Sequence, residues 1–126
     1  MQEMVKNDEV AKAFEIKLVE YGKGWCRFSM AVKKGMMNAY GALHGSVIYA
    51  LADVAFAVAC NSYGVKGVAL SMTLQYRRPA CENELLTADA REESRGKTTG
   101  LYRIKIMNRE GKLVAIADGL AYISQK

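Results

Sequence analysis

Hydrophobic and polar residues alternate in several segments of the chain, a pattern that is typical of half-buried β-strands. In FEIKLVEY, Phe14, Ile16 and Leu18 alternate with charged residues, and the turn YGKG leads to a second such segment, WCRFSMAV. These two segments predict a β-hairpin. Four further strands are predicted in GVALSMTLQYRR, ELLTADAREES, TTGLYRIKIMN and KLVAIADGLAYIS, of which the last two are joined by the turn REGK.

Two other segments have the pattern of helices. The first dozen residues predict a short helix that is capped by Asn7 or Asp8. From Gly45 to Cys60 the chain is almost entirely apolar, and this segment predicts a buried helix, because a membrane span needs about 18 such residues. Ser46 is expected to cap this helix with its hydroxyl. Gly64 is expected to end it, because helices often end at a residue with positive φ.

The last predicted strand has one face of small residues, formed by Ala115, Ala117, Gly119 and Ala121. Such a face allows another element to approach closely. The apolar helix is the natural candidate, since it must be covered on most of its sides. The sequence therefore predicts an α+β fold in which an antiparallel β-sheet wraps around one long central helix.

The composition is that of one ordinary globular domain, which we assign to residues 1–126. Hydrophobic residues make up 51% of the chain and charged residues 25%, proportions that exclude a disordered or low-complexity protein. The net charge of +5 favours anionic partners, which include nucleic acid, acidic membranes and phosphorylated small molecules. Charge alone does not choose among these classes.

The numbers and spacing of the cysteine and histidine residues bear on disulfide formation and metal binding. Cys26, Cys60 and Cys81 are odd in number and form no CxxC pair, and the N-terminal segment lacks the features of a signal peptide. We therefore expect a reduced, cytoplasmic protein. His44 is the sole histidine, which argues against a multi-histidine metal site, and neither a metal nor a cofactor is expected.

One carboxylate, Asp53, stands near the middle of the most apolar segment of the chain. At 3.6 residues per turn it shares a helix face with small residues, and a gap beside it would admit an acyl group or a water molecule. A lone aspartate can instead accept backbone hydrogen bonds or pair with an arginine. Burial of an unpaired carboxylate is costly, so that this second interpretation needs a specific partner. Both interpretations stay open at this point.

The start of the predicted helix is a second candidate site. No G-x-S-x-G motif surrounds Ser46, so a serine hydrolase triad is not indicated. YGALHG places backbone N–H groups at the helix N-terminus, where the helix dipole favours a developing negative oxygen. Gly45 is therefore a candidate oxyanion donor, although a glycine is also simply suited to a tight turn.

These residues form a recognisable set. Asn38, His44-Gly45 and the LAD that ends in Asp53, followed by AFAVACNSYG, resemble the hot-dog fold acyl-CoA thioesterases. These enzymes belong to the 4-hydroxybenzoyl-CoA thioesterase superfamily. Within it, the motifs of this chain are most similar to those of the PaaI-like branch associated with phenylacetate degradation. VALSMTLQYRRPA and SRGKTTGLYRIKI extend the resemblance over most of the chain. One departure is Ser46, where the family commonly has a second glycine.

The resemblance implies a homodimer whose two helices pack side by side beneath a continuous sheet and which assembles further into a homotetramer. The active sites would lie at the subunit interface. In such enzymes the carboxylate matching Asp53 acts as nucleophile or general base, and the glycine N–H matching Gly45 polarises the thioester carbonyl. The residues matching Asn38 and Ser71 position the reacting groups and the attacking water, and His44 belongs to the same expected catalytic set.

The same resemblance implies a small-molecule acyl-CoA substrate, and no nucleic-acid or membrane partner. Its phosphates would be bound by basic residues, since guanidinium and ammonium groups pair readily with phosphate. The expected substrate-binding residues are Arg77, Arg78, Arg95, Gly96, Lys97 and Thr98. For any one of the basic residues, a merely solvated surface position is the alternative.

The expected activity is hydrolysis of an acyl-CoA to the free acid and coenzyme A, with phenylacetyl-CoA-type or other aromatic or medium-chain acyl groups. The main alternative is a non-catalytic acyl-CoA-binding module of the same fold. A nucleic-acid binder has less support, because few aromatic residues lie among the basic ones, and hot-dog dehydratases space their histidine and acid differently. The aromatic residues considered for an acyl pocket are Tyr40, Tyr49, Phe56 and Tyr63.

Overall fold

A computed structural model describes residues 1–124 of the chain. Two short helices precede the first strand, and one long helix lies between the second and the third strand. In chain order the α-helices and strands are α1 (Gln2–Lys6), α2 (Glu9–Ala13), β1 (Lys17–Gly22), β2 (Trp25–Ala31), α3 (Gly45–Asn61), β3 (Gly67–Tyr76), β4 (Leu85–Arg95), β5 (Thr99–Met107) and β6 (Leu113–Ile123), and a short 3₁₀-helix, Lys34–Met36, lies between β2 and α3.

All six strands form one antiparallel sheet in the order β1-β2-β4-β5-β6-β3. The helix α3 lies against one face of this sheet and contacts β2, β3, β4, β5 and β6. Leu51 and Phe56 of the helix, with Phe28 and Tyr102 of the sheet, are among the fully buried side chains of the core. The predicted α+β architecture of a sheet around a central helix, the hot-dog fold, is confirmed.

The small-residue face of β6 explains how the helix comes so close. Ala117 and Ala121 are buried, and a Cβ atom added to Gly119 would lie 2.7 Å from the ring of Phe56. The Phe56 ring therefore occupies the space that a side chain at position 119 would need. It also lies 5.8 Å, centroid to centroid, from the ring of Tyr102. The predicted contact between this strand face and the helix is confirmed.

Two details of the N-terminal region differ from the expectation. The first dozen residues form two helices, because the carboxylate of Asp8 accepts hydrogen bonds from the N–H groups of Val10 and Ala11, both at 3.0 Å, and starts a second helix. The first strand begins at Lys17 and not at Phe14. Glu15, with a φ of 53°, turns the chain between α2 and the strand.

The sheet leaves β1 and β3 as its two edges. On β3, the side chains of Val68, Leu70 and Tyr76 are exposed in the single chain. An exposed edge strand with apolar side chains is a template for pairing with another strand. No helix within residues 1–124 is long and apolar enough to cross a membrane.

Candidate active site

The loop before α3 is held by the side chain of Asn38. Its Oδ1 atom accepts hydrogen bonds from the N–H groups of Tyr40, at 2.9 Å, and Ala42, at 3.0 Å. Gly41, at the tip of the loop, has a φ of 81° that favours glycine. Because Oδ1 is engaged, the Nδ2 amide is the group of Asn38 that is available to donate to a ligand.

The helix α3 begins with a cap that the sequence did not predict. The N-cap residue is His44, whose Nδ1 atom accepts a hydrogen bond from the N–H of Ser46 at 3.0 Å, and the Ser46 hydroxyl lies 2.7 Å from the same nitrogen. The expectation that Ser46 caps the helix is therefore wrong. Ser46 lies inside the first turn, where its N–H is the group being capped.

This arrangement leaves the N–H of Gly45 unused. The N–H groups of Val47 and Ile48 both donate to the His44 carbonyl, and that of Ser46 donates to the His44 ring. Within residues 1–124 the Gly45 N–H has no hydrogen-bond acceptor. A free N–H at a helix N-terminus is a donor for a negatively charged oxygen. The geometry thus supports the predicted oxyanion role of Gly45.

A cavity of about 480 Å³ lies next to this helix start. Its wall combines apolar groups with the polar groups just described and with two arginines. The lining residues are Asn38, Ala42, Leu43, Gly45, Ser46, Ile48, Tyr76, Arg77, Arg78 and Pro79. Concave, largely apolar cavities with a few convergent polar groups are typical of small-molecule sites.

Asp53 is not part of this cavity. It follows Gly45 by eight residues on the same helix, which corresponds to about 12 Å along the helix axis at 1.5 Å per residue. Its side chain is exposed in the single chain, on a helix face that it shares with Ser46 and Tyr49. One chain therefore does not bring Asp53 and Gly45 to the same reacting atom. Ser71, in the middle of β3, is likewise exposed and outside the cavity.

The apolar sequence around Asp53 indicated a buried carboxylate. The structure corrects this expectation, because the helix face of Asp53 is open in the single chain. The carboxyl group is nevertheless partly desolvated. Burial raises its pKa above the ordinary value for aspartate, and the negative charge of Asp8 raises this pKa further. Asp8 is the N-cap of α2, which contacts α3. Cys60, which a period of 3.6 residues places on the same helix face as Asp53, is buried.

The two groups of expected substrate-binding residues lie at opposite ends of the sheet. Arg77 and Arg78 follow the last residue of β3, whereas the turn at 95–98 lies beside the first, since Thr99 and Val68 both pair with Tyr122. A strand of ten residues spans about 30 Å, at about 3.3 Å per residue. One chain does not bring the two groups together.

Arg95 is partly engaged in a contact that the sequence did not indicate. Its guanidinium carbon lies 4.0 Å from the centroid of the Tyr63 ring, and its Nη1 atom donates to the Tyr102 hydroxyl at 3.2 Å. That hydroxyl donates in turn to Glu92 at 3.3 Å. These contacts hold the segment just after α3 against the sheet, and Tyr63 is not among the residues that line the cavity.

The other aromatic residues considered for an acyl pocket are also dispersed. Phe56 is buried in the core, Tyr49 is exposed on α3, and Tyr40, 95% exposed, stands at the tip of the loop before α3. The aromatic residue that does line the cavity is Tyr76, which was not a candidate for that pocket. Its only sequence signal is its position directly before Arg77 and Arg78.

Comparison with known proteins identifies the class of protein that this fold and cavity define. The chain belongs to the thioesterase superfamily, whose family model matches residues 40–115. It is 39% identical to the acyl-coenzyme A thioesterase PaaI of Escherichia coli, over 94% of this chain and 85% of that protein.

Two solved structures extend this similarity to three dimensions. The E. coli PaaI protein from the phenylacetic acid degradation operon superposes with a TM-score of 0.95 at 37% identity, covering 98% of this chain and 89% of that one. A Streptococcus mutans protein, solved with acetyl-CoA bound, has a TM-score of 0.84 at 25% identity, covering 88% and 90% of the two chains. The predicted family and fold are confirmed.

Because the negative charge of Asp8 raises the pKa of Asp53, removal of that charge should lower this pKa measurably. Asp8→Asn keeps a good helix cap and removes one negative charge, so the pKa of the Asp53 carboxyl should fall towards its ordinary value. The measurement is an NMR titration of the Asp53 side-chain carboxyl carbon. Glu9→Gln, which removes a charge from the same helix, is the matched control and should leave this pKa in place. An Asp53 titration that Asp8→Asn does not move would contradict the assigned interaction.

Proposed function

We propose that this protein hydrolyses acyl-CoA thioesters to the free acid and coenzyme A, with phenylacetyl-CoA-type or other aromatic or medium-chain acyl groups as substrates. The observation that carries the proposal is the free N–H of Gly45 at the start of α3, in a cavity beside Arg77 and Arg78. The acyl-CoA thioesterase name of the E. coli relative and the acetyl-CoA bound to the S. mutans protein support the same substrate class.

The proposed chemistry is attack of water on the thioester carbonyl. Asp53 takes a proton from the attacking water, or attacks the carbonyl itself to form an anhydride that water then hydrolyses. The Gly45 N–H stabilises the oxyanion, a contribution of about 3 kcal/mol for one such donor. The C–S bond breaks as the carbonyl reforms, and coenzyme A leaves as a thiolate that needs little help from an acid.

Asn38, Ser71 and His44 have supporting roles in this proposal. The free Nδ2 amide of Asn38 donates to the substrate from the cavity wall, and Ser71 holds the attacking water. His44 keeps the first turn of α3 in place through its bond to the Ser46 N–H.

A second copy of the chain would complete the site. Gly45 and Asp53 are about 12 Å apart along α3, so that antiparallel packing of two α3 helices would place Gly45 of one copy beside Asp53 of the other. The required two-fold axis passes between the two helices at the level of Tyr49, midway between these residues, with Ala50 beside it. Ala50 is small and only partly buried in the single chain, which permits close approach of the second helix.

The exposed edge of β3 offers the matching contact between the two sheets. Antiparallel pairing of two β3 strands would put the end of one beside the start of the other. Arg77 and Arg78 of one copy would then lie near the turn at 95–98 of its partner, where Gly96 and Thr98 expose backbone and hydroxyl groups. This arrangement would unite the two distant groups of basic residues around one coenzyme A. The homotetramer and the cytoplasmic location stay predictions.

Asp53→Asn should lower kcat for acyl-CoA hydrolysis by a factor of about 100 or more, because it removes the base or nucleophile. Release of free thiol from a series of aromatic, short-chain and long-chain acyl-CoA substrates is the measurement. Asp118→Asn, at an exposed ion pair on β6, is the control and should retain the parent rate.

The same variant should also fold at least as stably as the parent at pH 7. The pKa of the Asp53 carboxyl is raised in the folded protein, so folding favours the protonated form, and the charged form opposes folding once the pH exceeds that pKa. A folded Asp53→Asn protein that hydrolyses thioesters at the parent rate would contradict the assignment. Binding of acyl-CoA by a parent protein without any hydrolysis would favour the non-catalytic module instead.

The proposed two-fold axis predicts a specific cross-link. In a background where the exposed Cys81 is replaced by serine, Ala50→Cys should form a covalent dimer on mild oxidation, because residue 50 lies next to its own copy. Ala57→Cys is the matched control on the same helix face. It would lie about 24 Å from its copy, at 1.5 Å per residue on both sides of the axis. A dimer cross-linked through residue 57 but not residue 50 would refute this packing.

A further inference from the structure

The side chain of Tyr76 connects the edge strand β3 to the start of α3. Its hydroxyl donates a hydrogen bond to the carbonyl oxygen of Gly45 at 3.0 Å. A Cβ atom added to Gly45 would lie 3.3 Å from the Cζ and Oη atoms of the Tyr76 ring. The ring therefore lies against the Cα atom of this glycine, although 53% of Tyr76 is exposed.

Both polar groups of the peptide between Gly45 and Ser46 are held by side chains. Its carbonyl oxygen accepts from the Tyr76 hydroxyl, and its N–H donates to Nδ1 of His44 at 3.0 Å. The preceding peptide is held through the His44 carbonyl, which accepts from two N–H groups of the first turn, at 3.0 and 3.3 Å. The peptide planes on both sides of Gly45 are therefore fixed.

This restraint matters because glycine has more backbone freedom than any other residue. The N–H of Gly45 belongs to the first of these peptides, the one held through the His44 carbonyl, and it is the group that has no acceptor within residues 1–124. A hydrogen-bond donor stabilises a transition state most effectively when it is already oriented before the charge develops. Tyr76 holds the other side of Gly45, its Cα atom and its carbonyl, from outside the helix.

We infer that Tyr76 is a positioning residue for the reaction, an inference that rests on the proposed function of Gly45 as oxyanion donor. Tyr76 acts through Gly45: by holding the Cα atom and the carbonyl of this residue, its ring and hydroxyl limit the motion of the N–H at the wall of the cavity. Since Tyr76 is also the last residue of β3, the strand proposed to pair with the second copy, the same strand would set both the interface and the donor.

Tyr76→Phe tests the inference, because it removes the hydroxyl and keeps the ring. We expect kcat to fall about tenfold with KM changed less than about twofold, since an oriented oxyanion donor acts in the transition state and not in substrate binding. Tyr122→Phe is the matched control: this tyrosine is similarly exposed, at 45%, and lies at the other end of the sheet. It should retain the parent kcat and KM.

A second measurement reports on Gly45 directly. The ¹⁵N order parameter of the Gly45 amide should be that of rigid backbone, about 0.85, in the parent and should fall in Tyr76→Phe but not in Tyr122→Phe. An unchanged order parameter together with an unchanged kcat would overturn the inference, as would a rise in KM at constant kcat. If the parent hydrolyses no thioester, the proposed function fails, and the order parameter alone decides whether Tyr76 positions Gly45.

Discussion

The spacing of two groups on one helix, α3, limits how an active site can be built in this fold. Gly45 and Asp53 are separated by eight residues of α3, or about 12 Å, and no rearrangement of side chains can bring the Gly45 backbone N–H next to that carboxylate. A site that uses both groups must therefore draw them from two helices. The exposed helix face around Asp53 and the unpaired edge of β3 are the surfaces where a second copy would supply them.

The placement of Asp53 also explains how an apolar helix accommodates a carboxylate. The sheet covers the other sides of α3, where residues such as Leu51 and Val58 are buried, while the Asp53 face stays open in the single chain. The carboxylate therefore does not enter the core of one chain. Its raised pKa, caused by partial burial and by Asp8, indicates a group whose charged form the fold tolerates but does not favour. Such a group is common at functional sites.

The sequence predicted the sheet well because alternation at a period of two is a local signal that tertiary packing preserves. The small-residue face of β6 was also visible, and it correctly indicated where the helix packs. The cap of α3 was not predictable, because the ring of His44 and the hydroxyl of Ser46 are both able to accept from the first turn, and only their geometry decides between them. The contact of Arg95 with Tyr63 joins residues 32 positions apart and has no local pattern.

The sequence motifs named most of the residues proposed for the site, but not their arrangement in the fold. Asn38, Gly45, Arg77 and Arg78 come together at one cavity, as the motifs imply. Asp53, Ser71 and the turn at 95–98 lie outside this cavity, and a sequence motif does not record such distances within the fold. No sequence pattern indicated the role inferred for Tyr76, because that role depends on where β3 ends relative to the first turn of α3.

Complementation between two inactive variants tests most directly whether each active site is shared between two copies. Asn38→Asp keeps the Oδ1 acceptor that holds the loop and removes the Nδ2 donor, whereas Asp53→Asn removes the carboxylate. The two variants are co-expressed with different tags, and the mixed dimer is purified through both. The mixed dimer should have about half of the parent thioesterase activity, because one of the two sites in a mixed two-fold dimer is then intact. A mixed dimer as inactive as either variant alone would contradict a shared site.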